Sequence, residues 1–223
     1  MTTLCIIPAH MDSKRFPGKV LADIEGKTML ERVVKRTRRA KMIDHIVVGL
    51  DLDDLALTHW CDKHKVEWFH GTHKKKDLLT LFYSCAKTYN ASTIVRITSD
   101  CPLIDPSIID VACSLHKQAG AYYTSNIFPE RTFPDGLDVE VFSFSLLSQA
   151  HAEALTPYDR EHVTPWIQEY CKSAGGIGEI TYPLNSAHLR WTVDYPEDLD
   201  FVRRVYRELK EPFGMKEILS LTP

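Results

Sequence analysis

The segment from His10 to Lys19 sets three cations, Lys14, Arg15 and Lys19, among the small residues Ala9, Ser13 and Gly18. Small residues let backbone N–H groups approach a ligand closely, and N–H groups beside Lys and Arg are what a polyphosphate needs. The spacing matches neither GxxxxGK[ST] nor GxGxxG, so neither a Walker loop nor a dinucleotide fingerprint is present. A solvated surface loop is the alternative use of the same cations. Asp100 and Asp194 each follow an apolar run. Carboxylates at two strand ends are able to converge on one hard cation, with water and phosphate oxygens completing its shell. The competing use of such an Asp is a helix N-cap, strongest for Asp105 and partial for Asp194. In DGLDVE, residues 135–140, Asp138 and Glu140 share one strand face opposite Leu137, Val139 and Val141, and either bind polyol hydroxyls or face solvent. Lys74, Lys75 and Lys76 read as a solvated loop, and the isolated histidines show no metal spacing.

Positioning these groups requires alternating strands and helices. Residues 3–8 form an apolar run ending in Pro8, the pattern of a buried strand, and the cationic loop follows it directly. Further strands are expected at 43–50, 66–70, 93–97 and 121–125. Helices are expected from about 28, at 53–64 and 77–89, and from Asp105-Pro106 to Gly120, where an N-cap precedes Pro at the first helical position. This alternation predicts an α/β fold with a mostly parallel central sheet covered on both faces. Beyond it come a polar loop at 126–136, a strand at 137–143 and helices at about 144–154 and 160–173. Strands at 177–184 and 189–193 follow, then helices at 196–210 and 215–221. Catalytic groups in open α/β sheets sit beyond the carboxyl ends of the strands, where the loop, Asp100 and Asp194 all fall.

Composition narrows the class. With 223 residues, 44% hydrophobic and 26% charged, the chain suits one globular domain with a sizeable core. A net charge of −3 argues against a general nucleic-acid binder. Residues 1–41 carry ten Lys/Arg against four Asp/Glu, a local +6 able to face a small anion. Most of that surplus, Arg32 to Lys41, is expected on the solvated face of one helix. No apolar run approaches the roughly 20 residues of a membrane span, and Met1–Ile7 lacks a basic n-region and cleavage site. Six irregularly spaced cysteines with no CxxC pair read as small buried thiols. A cytoplasmic protein is expected.

The residues IIPAHMDSKRFPGKVL (6–21) resemble the opening of cytidylyltransferases, most closely the spore-coat-polysaccharide-F type related to the synthetases of CMP-activated ulosonic acids. The resemblance continues in VRITSDCPLIDP (95–106), FPDGLDVEVF (133–142), REHVTP (160–165) and LRWTVDYPEDL (189–199), five blocks in order over nearly the whole chain. It implies a single-domain GT-A-like, Rossmann-like nucleotidyltransferase fold, CTP as donor, Mg2+ as cofactor and release of pyrophosphate. It further implies Mg2+ on Asp100 and Asp194, with Arg15, Lys19 and Asp100 carrying the catalysis. Nucleotide contacts are expected from Pro8, Ala9, His10, Met11, Ser13, Lys14, Arg15, Lys19, Thr98 and Ser99. Acceptor contacts are expected from Asp135, Asp138, Glu140, Arg160 and His162.

On this expectation residues 1–125 bind the nucleotide and residues 126–188 bind the acceptor, with a homodimer contact allowed for there. Residues 189–223 supply the second metal ligand and the last helices. The partners are CTP and a small anionic acceptor such as a sugar acid or polyol phosphate, with no nucleic acid or membrane, in surface polysaccharide biosynthesis. The chain departs from the family at His10, where the family usually carries Arg, and at Asp12, where it carries a small residue. That leaves open whether His10 serves the phosphates or, with Asp12, the acceptor. A glycosyltransferase of similar fold using a nucleotide sugar and a non-catalytic nucleotide-binding relative are the alternatives. The absence of a DxD-like motif at Ser99-Asp100-Cys101 weighs against the first.

Overall fold

From Leu4 to Ala9 every residue is buried, so the first strand has no solvent face and takes the centre of a sheet. The computed structural model describes residues 2–70 and 77–222; the Lys74–Lys76 stretch lies outside them. In chain order the first half comprises β1 (Thr2–Ala9), a 3-10 turn (Lys19–Leu21), the short hairpin β2 (Asp23–Ile24) and β3 (Lys27–Thr28), α1 (Met29–Thr37), β4 (His45–Leu50), α2 (Leu55–His64) and β5 (Glu67–Phe69). Then come α3 (Leu78–Thr88), β6 (Ala91–Arg96), α4 (Pro106–Ala119), β7 (Tyr123–Ser125) and β8 (Glu140–Ser143). The chain closes with α5 (Phe144–Glu153), α6 (Pro157–His162), α7 (Pro165–Ala174), β9 (Ile177–Glu179), α8 (Asp198–Glu208) and α9 (Met215–Leu219).

Among the described residues the main sheet has seven strands in the order β5-β4-β1-β6-β8-β7-β9. Only β8 runs against its neighbours, so the expected mostly parallel sheet is what forms. Strand alternation splits the core into two layers. Leu4, Ile6, Val47, Ile94 and Phe142 pack under α3, α5 and α7, while Cys5, Ile7, Val48, Val95 and Val141 pack under α1, α2, α4, α8 and α9. Each fully buried aliphatic side chain in these layers contributes about 1.5–3 kcal/mol. All six cysteines are buried and free, as their spacing predicts. No helix among the described residues is long and apolar enough to cross a membrane.

The chain runs β1, β4, β5 to one side, then returns to place β6 on the other side of β1. That reversal opens a crevice between the carboxyl ends of β1 and β6, the usual place for a ligand in such sheets. The loop 10–18 leaves β1 there, and residues 97–105 leave β6 there.

Several expectations are corrected. Residues 189–193 are not a strand; they make one isolated bridge, Arg190 to Asp135. The helix expected at 160–173 is two helices, broken where Val163 takes φ +72° ahead of Pro165. The strand at 137–143 begins only at Glu140. Arg32 and Arg36 leave the solvated helix face and are buried, because backbone carbonyls of Ile24, Glu25, Ile104 and Phe213 accept from their guanidinium groups.

Gly136 is what lets segment 189–193 lie against the 133–138 turn. It has φ +111°, and a Cβ there would sit 2.6 Å from the Thr192 nitrogen and 2.7 Å from the Trp191 carbonyl carbon. Gly136→Ala is therefore expected to cost about 1–3 kcal/mol of folding stability, read as a lower urea midpoint. An unchanged midpoint contradicts this packing.

Candidate functional site

Gly18 has φ +73°, a conformation glycine adopts at little cost, and its N–H donates to the Met11 carbonyl at 2.9 Å. This closes the loop 10–18 on itself. The Met11 N–H donates to the Asp54 carboxylate at 3.0 Å, fastening the loop to the start of α2. The turn that follows buries the Lys19 stem and aims its ammonium into the crevice.

Lys19 Nζ donates to three oxygens: Asp100 Oδ2 at 2.9 Å, Asp194 Oδ1 at 3.0 Å and the Val193 carbonyl at 2.8 Å. An ammonium has three N–H groups, and all three are used. Asp194 Oδ1 also accepts from Arg15, and its Oδ2 accepts from Arg190 at 3.2 Å. The two arginines flank the Tyr195 ring at 5.5 and 5.9 Å. Backbone bonds lock the aspartates together: the Asp100 carbonyl accepts from the Val193 N–H at 2.9 Å and from the Thr192 hydroxyl at 3.2 Å. The Asp135 carbonyl accepts from the N–H groups of Trp191 and Thr192.

Electrostatics follow from this knot. Burial disfavours the Lys19 ammonium, but the carboxylates of Asp100 and Asp194 more than offset it and raise its pKa. Partial burial pushes the Asp194 carboxyl upward, yet hydrogen bonds from Arg15 and Lys19 carry it below the ordinary carboxylate value. Asp135 moves the other way, raised by burial and by the charge of Asp138. Among the described residues no group of three or more His, Cys, Asp or Glu is arranged to hold a metal. Two carboxylates do converge on one positive charge, at present the Lys19 ammonium. That donor set suits a hard divalent cation whose remaining ligands are phosphate and water oxygens.

Of the residues singled out by sequence, Arg15, Lys19, Asp100 and Asp194 come together in direct contact. Pro8 and Ala9 end β1 in a buried position. His10 is exposed with Nδ1 2.7 Å from Asp12 Oδ1, Ser13 accepts from the Phe16 N–H, and Lys14 is exposed. Thr98 Oγ1 lies 3.0 Å from Cys101 Sγ, and Ser99 is half-buried. Asp138 binds Arg131 through both oxygens at 2.6 and 2.9 Å.

Glu140 is not part of an open acidic face. It is 1% exposed, and its carboxylate accepts from Arg96, from the Tyr123 hydroxyl at 2.7 Å and from Gln168 at 3.3 Å, because α7 covers that side of β8. Arg160 is half-buried and already engaged. It donates to Asp77, to Thr80 and to the carbonyls of His151 and Ala154, joining α6 to the start of α3. His162 is exposed, its ring 4.5 Å from that of Tyr158. Arg190, Asp198, Arg131 and Arg96 escape the sequence reading. For Arg190 and Asp198 the signal lay in their spacing, four residues before and four after Asp194.

The comparisons with known proteins concern the same stretch of chain. A family model described as cytidylyltransferase matches residues 4–211. An uncharacterized protein of Methanocaldococcus jannaschii is 36% identical over 96% of this chain and 86% of its own length. The spore coat polysaccharide biosynthesis protein SpsF of Bacillus subtilis is 29% identical over 93% of this chain and 88% of its own. A solved cytidylyltransferase from Leptospira borgpetersenii superposes with a TM-score of 0.88 at 29% identity, covering 99% of this chain and 92% of that one.

The Arg160–Asp77 pair gives a test with a defined sign. Burial opposes ionisation of Asp77, but Arg160 and Thr80 more than offset it and lower its pKa. Stability from such a carboxylate is present above its unfolded value, about 4, and is lost as pH falls through the lower folded value. Arg160→Gln should cost about 1–3 kcal/mol at neutral pH, a cost that shrinks on acidification below about pH 4. Denaturation at pH 7 and pH 3 reads both, and a cost independent of pH contradicts the pairing.

Proposed function

The chain belongs to the cytidylyltransferase family and is a nucleotidyltransferase; we propose that it transfers CMP from CTP to an oxygen of a small anionic acceptor, a sugar acid or polyol phosphate, in surface polysaccharide biosynthesis. The observation that carries this reading is the Lys19 ammonium held between Asp100 and Asp194 beside Arg15. Two cations and two carboxylates already neutralise one another there, and each set has a partner in a metal-bound triphosphate. Lys19 and Arg15 exchange carboxylate oxygens for β- and γ-phosphate oxygens. Asp100 and Asp194, freed of those cations, would hold Mg2+, which would supply charge neutralisation on the α-phosphate and the leaving pyrophosphate.

The acceptor oxygen, already ionised or giving its proton to solvent, attacks the α-phosphorus in line, and its new P–O bond forms as the bond to pyrophosphate breaks. The chain's own task is to orient both reactants and to hold the departing charge. On this reading the backbone from Pro8 to Met11 and the Thr98–Ser99 step would contact the pyrimidine. Arg15 and Lys19 take the phosphates on this reading, while His10 pairs with Asp12 in the same loop. Asp135 and the Arg131–Asp138 pair would meet the acceptor, and Asp135 is tied to the segment before Asp194 by its bridge to Arg190. The pathway is supported by the relative named for spore coat polysaccharide biosynthesis. The acceptor class is supported by a 3-deoxy-manno-octulosonate cytidylyltransferase of Geobacter sulfurreducens, 40% identical over half of this chain and 44% of its own length.

Pyrophosphate release from CTP, UTP, ATP and GTP, each with a panel of sugar acids and polyol phosphates, tests the reading. CTP should be the donor used, with an anionic acceptor required. Asp100→Asn should abolish turnover while the protein stays folded. Lys19→Ala and Arg15→Ala should weaken CTP binding about tenfold or more and CMP binding much less, since each charge-assisted hydrogen bond contributes roughly 1.5–3 kcal/mol. Purine triphosphates serving as well as CTP would falsify the assignment.

A further inference from the structure

Asp194 lies in a stretch with no regular secondary structure, yet three cations hold it. Two of them, Arg15 and Lys19, share Oδ1; the third, Arg190, takes Oδ2 alone. On the proposed function Arg15 and Lys19 leave for the phosphates, and this inference rests on that reading. Arg190 is differently anchored. The same Nη2 that reaches Asp194 also donates to Asp198 Oδ2 at 3.0 Å. That Asp198 oxygen accepts in addition from the backbone N–H groups of Asp194 at 2.7 Å and Tyr195 at 2.8 Å. Asp198 is the first residue of α8, whose Leu199, Val202 and Val205 are buried in the core. Backbone bonds of Trp191 and Thr192 to the Asp135 carbonyl fix the other side of Arg190.

We infer that Arg190, held by Asp198, is a positioning residue for the metal-side carboxylate: it keeps Asp194 Oδ2 in place while Oδ1 is vacated for the divalent cation. The physical case is one of persistence. A carboxylate that loses two of its three cations, in a loop without strand pairing, regains rotamer freedom unless the remaining contact is rigid. Arg190, though exposed, has a second anchor: its guanidinium also binds the start of α8 and its backbone makes a bridge to Asp135. A metal ligand is oriented by the hydrogen bonds to its non-ligating atom, and losing such a partner typically costs 10–100-fold in affinity. An isolated exposed ion pair, by contrast, contributes little, so the effect belongs in metal binding rather than in overall stability.

The test measures Mn2+ binding by electron paramagnetic resonance with a non-hydrolysable CTP analogue present, and binding of CTP in EDTA by calorimetry. Arg190→Gln should weaken Mn2+ binding about tenfold or more while leaving metal-free CTP binding within about twofold. Arg190→Lys should restore part of the loss, and Asp198→Asn should move Mn2+ binding the same way. The thermal midpoint checks that each variant is folded. Unchanged Mn2+ affinity in Arg190→Gln overturns the inference, as does an equal loss of metal-free CTP binding, which places Arg190 on the phosphates. Asp194→Asn separates the two levels. If it loses Mn2+ and Arg190→Gln does not, only the positioning role fails; if it too keeps Mn2+, the metal role of Asp194 fails with it.

Discussion

One ammonium joins three distant parts of this chain. Lys19, Asp100 and Asp194 meet because a buried lysine charge is tolerated only with its N–H groups satisfied and opposite charge close by. Neither carboxylate alone provides that. The Val193 carbonyl completes the set, so the backbone at 193 is as much part of the site as the side chains around it. Removing one charge from such a knot leaves the others uncompensated, so on the proposed function its cations and anions change partners together.

The sheet exists, in functional terms, to hold that meeting point. The reversal between β5 and β6 opens a gap beside β1, and its two lips are the loop 10–18 and residues 97–105. Asp194 arrives by a different device. Its segment is pinned from beneath by the carbonyls of Asp100 and Asp135, with Gly136 providing the clearance. Asp198 supplies the cap to the backbone around Asp194. The Asp194 side chain caps no helix, since Glu197 stands at the N-cap of α8, and it meets the cations.

Much of this was legible in the sequence. The uncharged run before Pro8 identified the central strand, and Asp105 does cap α4 with Pro106 next to it. Arg15, Lys19, Asp100 and Asp194 were each picked out by residue type and by position after an apolar run. What escaped was non-local. Residues 189–193 alternate like a strand, but alternation records which side chains are buried and says nothing of whether a neighbouring strand is present to pair with. Arg32 and Arg36 follow helical spacing, and the carbonyls that bury them belong to other segments. Glu140 occupies the polar side of an alternating strand, and only the packing of α7 shows that side to be interior. Arg190 carries only its four-residue spacing from Asp194 as a local signature, since its partners are defined by the path of the chain after Val193.

On the proposed function the cations and carboxylates around Lys19 are two halves of one site, the first for phosphates and the second for a divalent ion. Calorimetric titration of CTP into the wild-type protein, once with Mg2+ and once with EDTA, addresses it most directly. With Mg2+ present CTP should bind about tenfold or more tightly, within the usual range of coupling between two ligands, because the carboxylates given up by Lys19 and Arg15 regain a counter-charge. Equal affinity in the two titrations would contradict the claim, for Asp100 and Asp194 would then need no replacement cation when the triphosphate binds.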